Sequence, residues 1–60
     1  MEEILLKLFD RKIIQKNDLS SIELVILMNE LNSLHEKEVD IFSIIECKSI
    51  EEIEELYNNK

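Results

Sequence analysis

The run Asp18-Leu19-Ser20-Ser21-Ile22-Glu23-Leu24-Val25-Ile26-Leu27-Met28-Asn29-Glu30-Leu31-Asn32-Ser33-Leu34 sets the architecture of this chain. Ser20 followed three residues later by Glu23 has the form of a capping box, in which a serine oxygen and a carboxylate each satisfy one orphan amide of a helix start. A helix therefore begins here. Its apolar residues, from Ile22 through Leu34, fall on more than one face, with Glu23, Asn29, Glu30 and Asn32 left to reach water. Such a helix is expected to sit centrally, with neighbours on two sides.

Upstream, Leu5, Leu6, Phe9 and Ile13, with Ile4, Leu8 and Ile14 on an adjacent strip, recur at helical spacing and predict one amphipathic helix from Glu2 to about Lys16. Glu2 and Glu3 lie at its positive end and Arg11, Lys12 and Lys16 toward its negative end, which suits the macrodipole. Asn17-Asp18 then interrupts with two turn-forming residues. Downstream, His35-Glu36-Lys37-Glu38 reads as a polar connector. The stretch Val39, Ile41, Phe42, Ile44, Ile45 reads as a short helix near 40 to 46, because a lone strand would have no partner for its backbone groups. Ser49-Ile50-Glu51-Glu52 repeats the capping-box form and opens a last helix with Ile50, Ile53, Leu56 and Tyr57 on one face. The expectation is an all-α fold: a small bundle of three main helices plus one short helix, in a single domain spanning residues 1–60.

Composition agrees. The chain has 60 residues, 45% apolar and 35% charged, with no Gly or Pro. It is too apolar for intrinsic disorder, has no run long enough to span a membrane, and lacks the material of hairpin turns and Gly-rich phosphate loops. Seven basic against 14 acidic side chains give a net charge of −7. That balance opposes the counterion-release term of nucleic-acid binding, so no nucleic acid and no membrane partner is expected, whereas basic surfaces of partner proteins are favoured. A single cysteine forms no internal disulfide and points to a reducing, cytoplasmic setting. Met1-Glu2-Glu3 opens with acid where a secretory leader is basic, and no small-residue cleavage site follows. The initial Met reads as the start of a complete gene product or of an N-terminal segment. So small a domain buries a modest fraction of its surface, and a partner would help to complete its core.

Catalytic chemistry is sparse. Cys47 and His35, with Asp40 or an Asn as orienter, are formally a nucleophile pair. Cys47 sits in an apolar context before a helix start, where a small buried hydrophobe is the simpler reading, and His35 reads as a solvated loop residue. Neither His35-Glu36 nor Glu38-Val39-Asp40 supplies paired soft ligands for a metal. The carboxylate pairs Glu2/Glu3, Glu51/Glu52 and Glu54/Glu55 are expected on solvated helix faces, and a cleft suited to acid–base work needs more protein than this chain supplies. No catalytic or metal-ligating residue is assigned, and no enzymatic activity is expected.

One constellation goes further. The stretch Ser20 to Leu31, followed after a polar loop by Val39, Ile44 and Cys47-Lys48-Ser49-Ile50-Glu51-Glu52-Ile53, resembles the acyl carrier protein family and its peptidyl carrier relatives. Members carry an Asp-Ser-Leu or Asp-Ser-Ile motif at the start of their second helix, then a loop, a short third helix and a Thr- or Ser-capped fourth. Setting the family's serine on Ser21 places the last helix start at Lys48-Ser49-Ile50 without a gap, and Asp40-Ile41-Phe42-Ser43 looks like the start of the short third helix. The chain departs from the pattern in having Ser20 where the family has Asp, in lacking the preceding Gly, and in a shorter lead into Ser21. By the resemblance, Ser21 would carry 4'-phosphopantetheine, and Glu23, Ile26, Glu30 and Phe42 would meet basic partner enzymes. Ile26 and Phe42 stand where the family is often acidic. From the Ser-Ser dipeptide alone, Ser21 is a helix-capping or first-turn serine.

Two functions are expected on these grounds. The resemblance implies a carrier holding acyl or aminoacyl thioesters on an arm at Ser21, serving fatty-acid, polyketide or nonribosomal peptide assembly. The rival is a noncovalent docking module whose apolar excess is covered by another helical protein or by a second copy in a homodimer.

Overall fold

The computed structural model describes residues 1–58. Four helices follow in order: α1 (Glu2–Phe9), α2 (Ser21–His35), α3 (Ile41–Glu46) and α4 (Ile50–Asn58), with a 3-10 turn at Lys16–Asp18 between the first two. No strand occurs among the described residues. The expected all-α arrangement of three longer helices and one short one is what the chain forms.

The first helix is half the expected length. It stops at Phe9 because Asp10 turns left-handed (φ 51°, ψ 36°) and returns its N–H to the Leu6 carbonyl. Aspartate tolerates that conformation better than most residues. Beyond it the chain leaves the helix, so that Ile13 is buried while its neighbour Ile14 is 70% exposed. The Asp18 carboxylate then accepts the N–H groups of Ile14 and Gln15 and closes the 3-10 turn. Helical spacing of the apolar residues had two solutions, and the turn chemistry at Asp10 and Asp18 selects the broken one.

The other starts follow their capping residues. The Ser20 Oγ accepts the Glu23 N–H at 3.3 Å and the Glu23 carboxylate accepts the Ser20 N–H at 2.9 Å, completing the capping box. Asp40 caps α3 by accepting the Ser43 N–H, and Ser49 caps α4 by accepting that of Glu52. The Glu52 carboxylate reaches back to the Lys48 N–H rather than to Ser49, so this second box is displaced by one residue.

The core is drawn from every element: Leu5 of α1, Ile13 and Leu19 of the connection, Leu24, Leu27 and Leu31 of α2, Ile44 of α3, Cys47, and Ile53 and Tyr57 of α4. Leu27, Ile44 and Ile53 have no exposed surface. At 100° per residue the buried positions of α2 form one stripe, and Ile22, Val25 and Ile26 fall outside it, exposed. α2 is therefore covered on one side only; the expectation of neighbours on two sides fails because the remaining helices are all used on the first. A polar clamp fixes the far end of α2. The Tyr57 hydroxyl donates to Asn32 Oδ1 at 2.6 Å, while Asn32 exchanges hydrogen bonds with the N–H and carbonyl of Val39. Lys37 Nζ donates to the Tyr57 carbonyl, and the His35 ring lies against that of Tyr57.

With no glycine available, α2 ends on Glu36 in the left-handed region (φ 54°, ψ 44°), a conformation costing a side chain with a Cβ about 1 kcal/mol or more. Glu36→Gly is expected to stabilise the fold by about 0.5 kcal/mol, net of the greater freedom of glycine in the unfolded chain, raising the melting temperature by a few degrees. Thermal melts followed by circular dichroism measure this, and a fall in melting temperature would contradict the role assigned to Glu36.

Candidate functional site at the start of the second helix

Two adjacent serines at the start of α2 have different duties. Ser20 is the cap, its oxygen accepting the Glu23 N–H and its carbonyl accepting that of Leu24. Ser21 is the first residue of the helix, exposed, and among the described residues no hydrogen bond engages its hydroxyl. The N–H groups of Ser21 and Ile22 precede the first in-helix bond and have no carbonyl within α2 to meet. An exposed hydroxyl thus stands beside free amides at the positive end of a 15-residue helix, where anionic groups are stabilised.

The connection from α1 is bound to this point through Arg11. Its guanidinium forks onto Glu23, with Nη1 to Oε2 at 2.8 Å and Nη2 to Oε1 at 2.9 Å, and Nη2 also donates to the Asp18 carbonyl at 2.9 Å. The Phe9 ring lies 5.7 Å from the guanidinium carbon on another side. The bidentate bond from Arg11 and the Ser20 N–H hold the Glu23 carboxyl well below the ordinary carboxylate value, at about 2, and the same pairing raises Arg11.

The residues expected to meet partners divide into two groups. Glu23, Ile26 and Glu30 lie within about 60° of one another around α2, whereas Ser21 shares the opposite side with Asn32, the residue bonded to Val39 just ahead of α3. Glu23 is paired with Arg11, and Glu30 lies 3.8 Å from Lys7 of α1 in an exposed ion pair of little energetic weight. Both acids expected to face partner enzymes are thus engaged by basic side chains of α1 and the connection that follows it. Ile26 and Phe42 are exposed, at 43% and 70%, and α3 lies against α2. Ile22 (74% exposed), Val25 and Ile45 are exposed as well; the sequence does not single them out as partner contacts, and they fall within the apolar excess of α2 and of the 39–45 stretch that the docking reading gives to a partner. For Ile22 and Val25 the signal lay in the second apolar strip of the Ile22-to-Leu34 run, which the expectation of a central helix assigned to burial.

The formal catalytic set is not assembled. His35 ends α2 against Tyr57, the Asp40 carboxylate is held by Ser43, and Cys47 is buried with its thiol toward the Ser43 carbonyl at 3.3 Å. Burial, reinforced by Glu52, pushes that thiol above its ordinary value, so it is a poor nucleophile. No group of three or more metal-ligating side chains converges among the described residues, and no helix there is long and apolar enough to cross a membrane. An open cleft of about 640 Å³ lies between α1, the 12–17 segment and the start of α4 and is not lined by Ser21. Comparisons with protein-family models, with curated proteins and with solved structures give no match.

The pairing of Glu23 makes stability depend on pH in one direction. A folded-state value near 2 against an ordinary 4.5 means that the contribution is complete above about pH 4.5 and is lost as pH falls toward 2. The difference in melting temperature between the wild type and Glu23→Gln should therefore be largest near neutrality and shrink toward pH 2. A difference independent of pH would contradict the ion pair.

Proposed function

We propose that this chain is a small carrier protein, modified with 4'-phosphopantetheine on Ser21 and delivering acyl or aminoacyl groups to partner enzymes. One observation carries the reading: α2 is capped by Ser20 and Glu23, without Ser21, which leaves the Ser21 hydroxyl exposed and uncommitted. A single serine in this position would have to choose between capping and esterification.

The residues present fit the group. The Ser21 Oγ is the point of attachment, and the free amides of Ser21 and Ile22 with the positive end of α2 would hold the phosphodiester charge. Ser21 would attack the pantetheine-bearing phosphorus of coenzyme A in the active site of a transferase. An Oγ–P bond forms, the pyrophosphate P–O bond breaks, adenosine bisphosphate leaves, and the hydroxyl proton passes to a base of the transferase. When bound, the arm supplies a terminal thiol that holds the cargo as a thioester. The role of the chain is presentation: the capping box fixes the direction of the helix end, and the exposed apolar side chains Ile22, Ile26 and Phe42 are available to partner enzymes. The resemblance of Ser20 to Leu31 and of Lys48-Ser49-Ile50 to acyl and peptidyl carriers supports the same reading.

The exposed set Ile22, Val25, Ile26, Phe42 and Ile45 supports a second reading, a docking module without a cofactor, because an apolar surface of this kind marks a site of association. Intact mass after reaction with coenzyme A and a broad-specificity phosphopantetheinyl transferase separates the two. The carrier gains one phosphopantetheine. Ser21→Ala gains none and stays within about 0.5 kcal/mol of wild-type stability, while Ser20→Ala loses about 1 kcal/mol yet is still modified. A folded wild type that remains unmodified, or a Ser21→Ala chain that is modified, overturns the carrier reading; an unmodified chain that sediments as a dimer supports the module.

A further inference from the structure

The open cleft between α1, the 12–17 segment and the start of α4 takes no part in the Ser21 site. Its apolar wall is built from Leu5 and Ile13, which are buried, Ile50, which is half-buried, and Ile14, which stands 70% exposed. The side chains of Lys12, Lys16 and Lys48 line the same cleft. Lys12 and Lys16 come to it because α1 stops at Phe9 and the chain beyond no longer follows the helix. Lys16 then gives its ammonium to the Ile45 carbonyl, just ahead of Lys48 in the sequence.

The cations of this chain are unevenly matched. Lys7 and Arg11 lie against the carboxylates of Glu30 and Glu23. Among the described residues the Lys12 and Lys48 side chains meet no carboxylate, and the partner of Lys16 is a neutral carbonyl. Of the acids at the cleft, Glu54 is held by the Met1 amino group at 3.2 Å, which leaves Glu2 and Glu51 against three lysines. A chain of net charge −7 thus carries a local excess of positive charge beside apolar surface. At physiological ionic strength the negative charge elsewhere is damped beyond about 8 Å, so a short ligand responds to the lysines, whereas a long polyanion meets the repulsion of the whole chain.

We infer that this cleft binds a short acidic segment of a partner protein, whose carboxylates meet Lys12, Lys16 and Lys48 while an apolar side chain lies against Ile13, Ile14 and Ile50. Charge complementarity selects the occupant: basic surfaces are drawn to the acidic remainder of the chain, and an acidic segment to the cleft. A small-molecule site encloses most of its ligand, whereas an open cleft suits a stretch of polypeptide whose outer side stays in water. Lysine ammonium groups are point charges on flexible stems and accept carboxylates in several arrangements, so acidic character around an apolar anchor is recognised rather than one fixed sequence. The site stands whether or not Ser21 is modified.

The test is a titration of the isotope-labelled, unmodified chain with the blocked peptide Glu-Asp-Glu-Leu-Leu-Asp-Glu-Asp, followed by amide NMR shifts at low salt. Saturable shifts should centre on residues 12–17 and 48–51. Lys12→Gln and Lys48→Gln, with folding checked by circular dichroism, should each weaken binding about threefold and together about tenfold, the scale of exposed ion pairs at independent positions. A peptide with amides in place of its carboxylates should bind at least about tenfold more weakly, and one with serines for both leucines about fivefold more weakly. The inference is overturned by a titration without saturable shifts, by shifts centred on Ile22, Val25 and Ile26, by a double variant that binds as well as the wild type, or by either altered peptide binding as tightly as the original. A single-stranded oligothymidylate that moves the same amides at lower concentration than the peptide also overturns it and gives the lysines to phosphate instead. Should the double variant not fold, the single variants and the altered peptides decide by the same criteria. None of these results bears on modification of Ser21, so the two readings fail separately.

Discussion

The carboxylate of Glu23 is the point on which the N-terminal half of this molecule turns. It serves two donors at once, the Ser20 amide and the Arg11 guanidinium, and each joins a different level of organisation. The first is local: it closes the capping box and sets where α2 begins. The second is tertiary: it draws the connection from α1 back across the start of α2, with the Asp18 carbonyl as a further anchor. Without the second bond, the left-handed turn at Asp10 would have less to hold it. Because the cap is supplied by Ser20, the helix begins without the hydroxyl of Ser21.

Small size explains much of the remainder. The buried residues come from all four helices and their connections, and nothing is left to cover the outer strip of α2. Isoleucine, valine and phenylalanine therefore remain at the surface, at Ile22, Val25, Ile26 and Phe42. The lack of glycine forces Asp10 and Glu36 into the left-handed region, so two helix ends carry backbone strain. The Tyr57–Asn32–Val39 clamp offsets this at the far end by satisfying polar groups of α2, α4 and the segment before α3 in one network. The result is a molecule tied at both ends of α2, by an ion pair at the start and by a phenol at the finish.

Much of this was legible in the residues themselves. Capping boxes announced the starts of α2 and α4, and the apolar run near residue 40, whose periodicity left its type open, read as a helix because a lone strand would have had no partner. The first helix was overextended because Ile13 and Ile14 continue a helical spacing that is also met by an extended segment burying alternate residues. Only the side-chain bonds of Asp18 distinguish the two. Ser21 was picked out by its place in a pattern, but its separation from the capping duty could not be read from two identical adjacent serines. The pairings of Glu23 with Arg11 and Glu30 with Lys7 were also out of reach, since partners 12 and 23 residues apart in sequence meet only once the connection has folded back. The exposed side of α2 was misjudged for the same reason: periodicity shows that two strips are apolar without showing how many neighbours the chain can supply.

Presentation of the Ser21 hydroxyl depends on the start of α2 being closed by Ser20 and left open one residue later. Residue-resolved amide hydrogen exchange reads that arrangement directly, because each N–H in this turn is assigned a partner or none. The amides of Ser20, Glu23 and Leu24 should be protected, and those of Ser21 and Ile22 should exchange near the rate of an unstructured chain. Protection of Ser21 and Ile22 comparable with that of Leu24, or free exchange at Glu23, would mean that the helix starts elsewhere and that the hydroxyl of Ser21 is not presented.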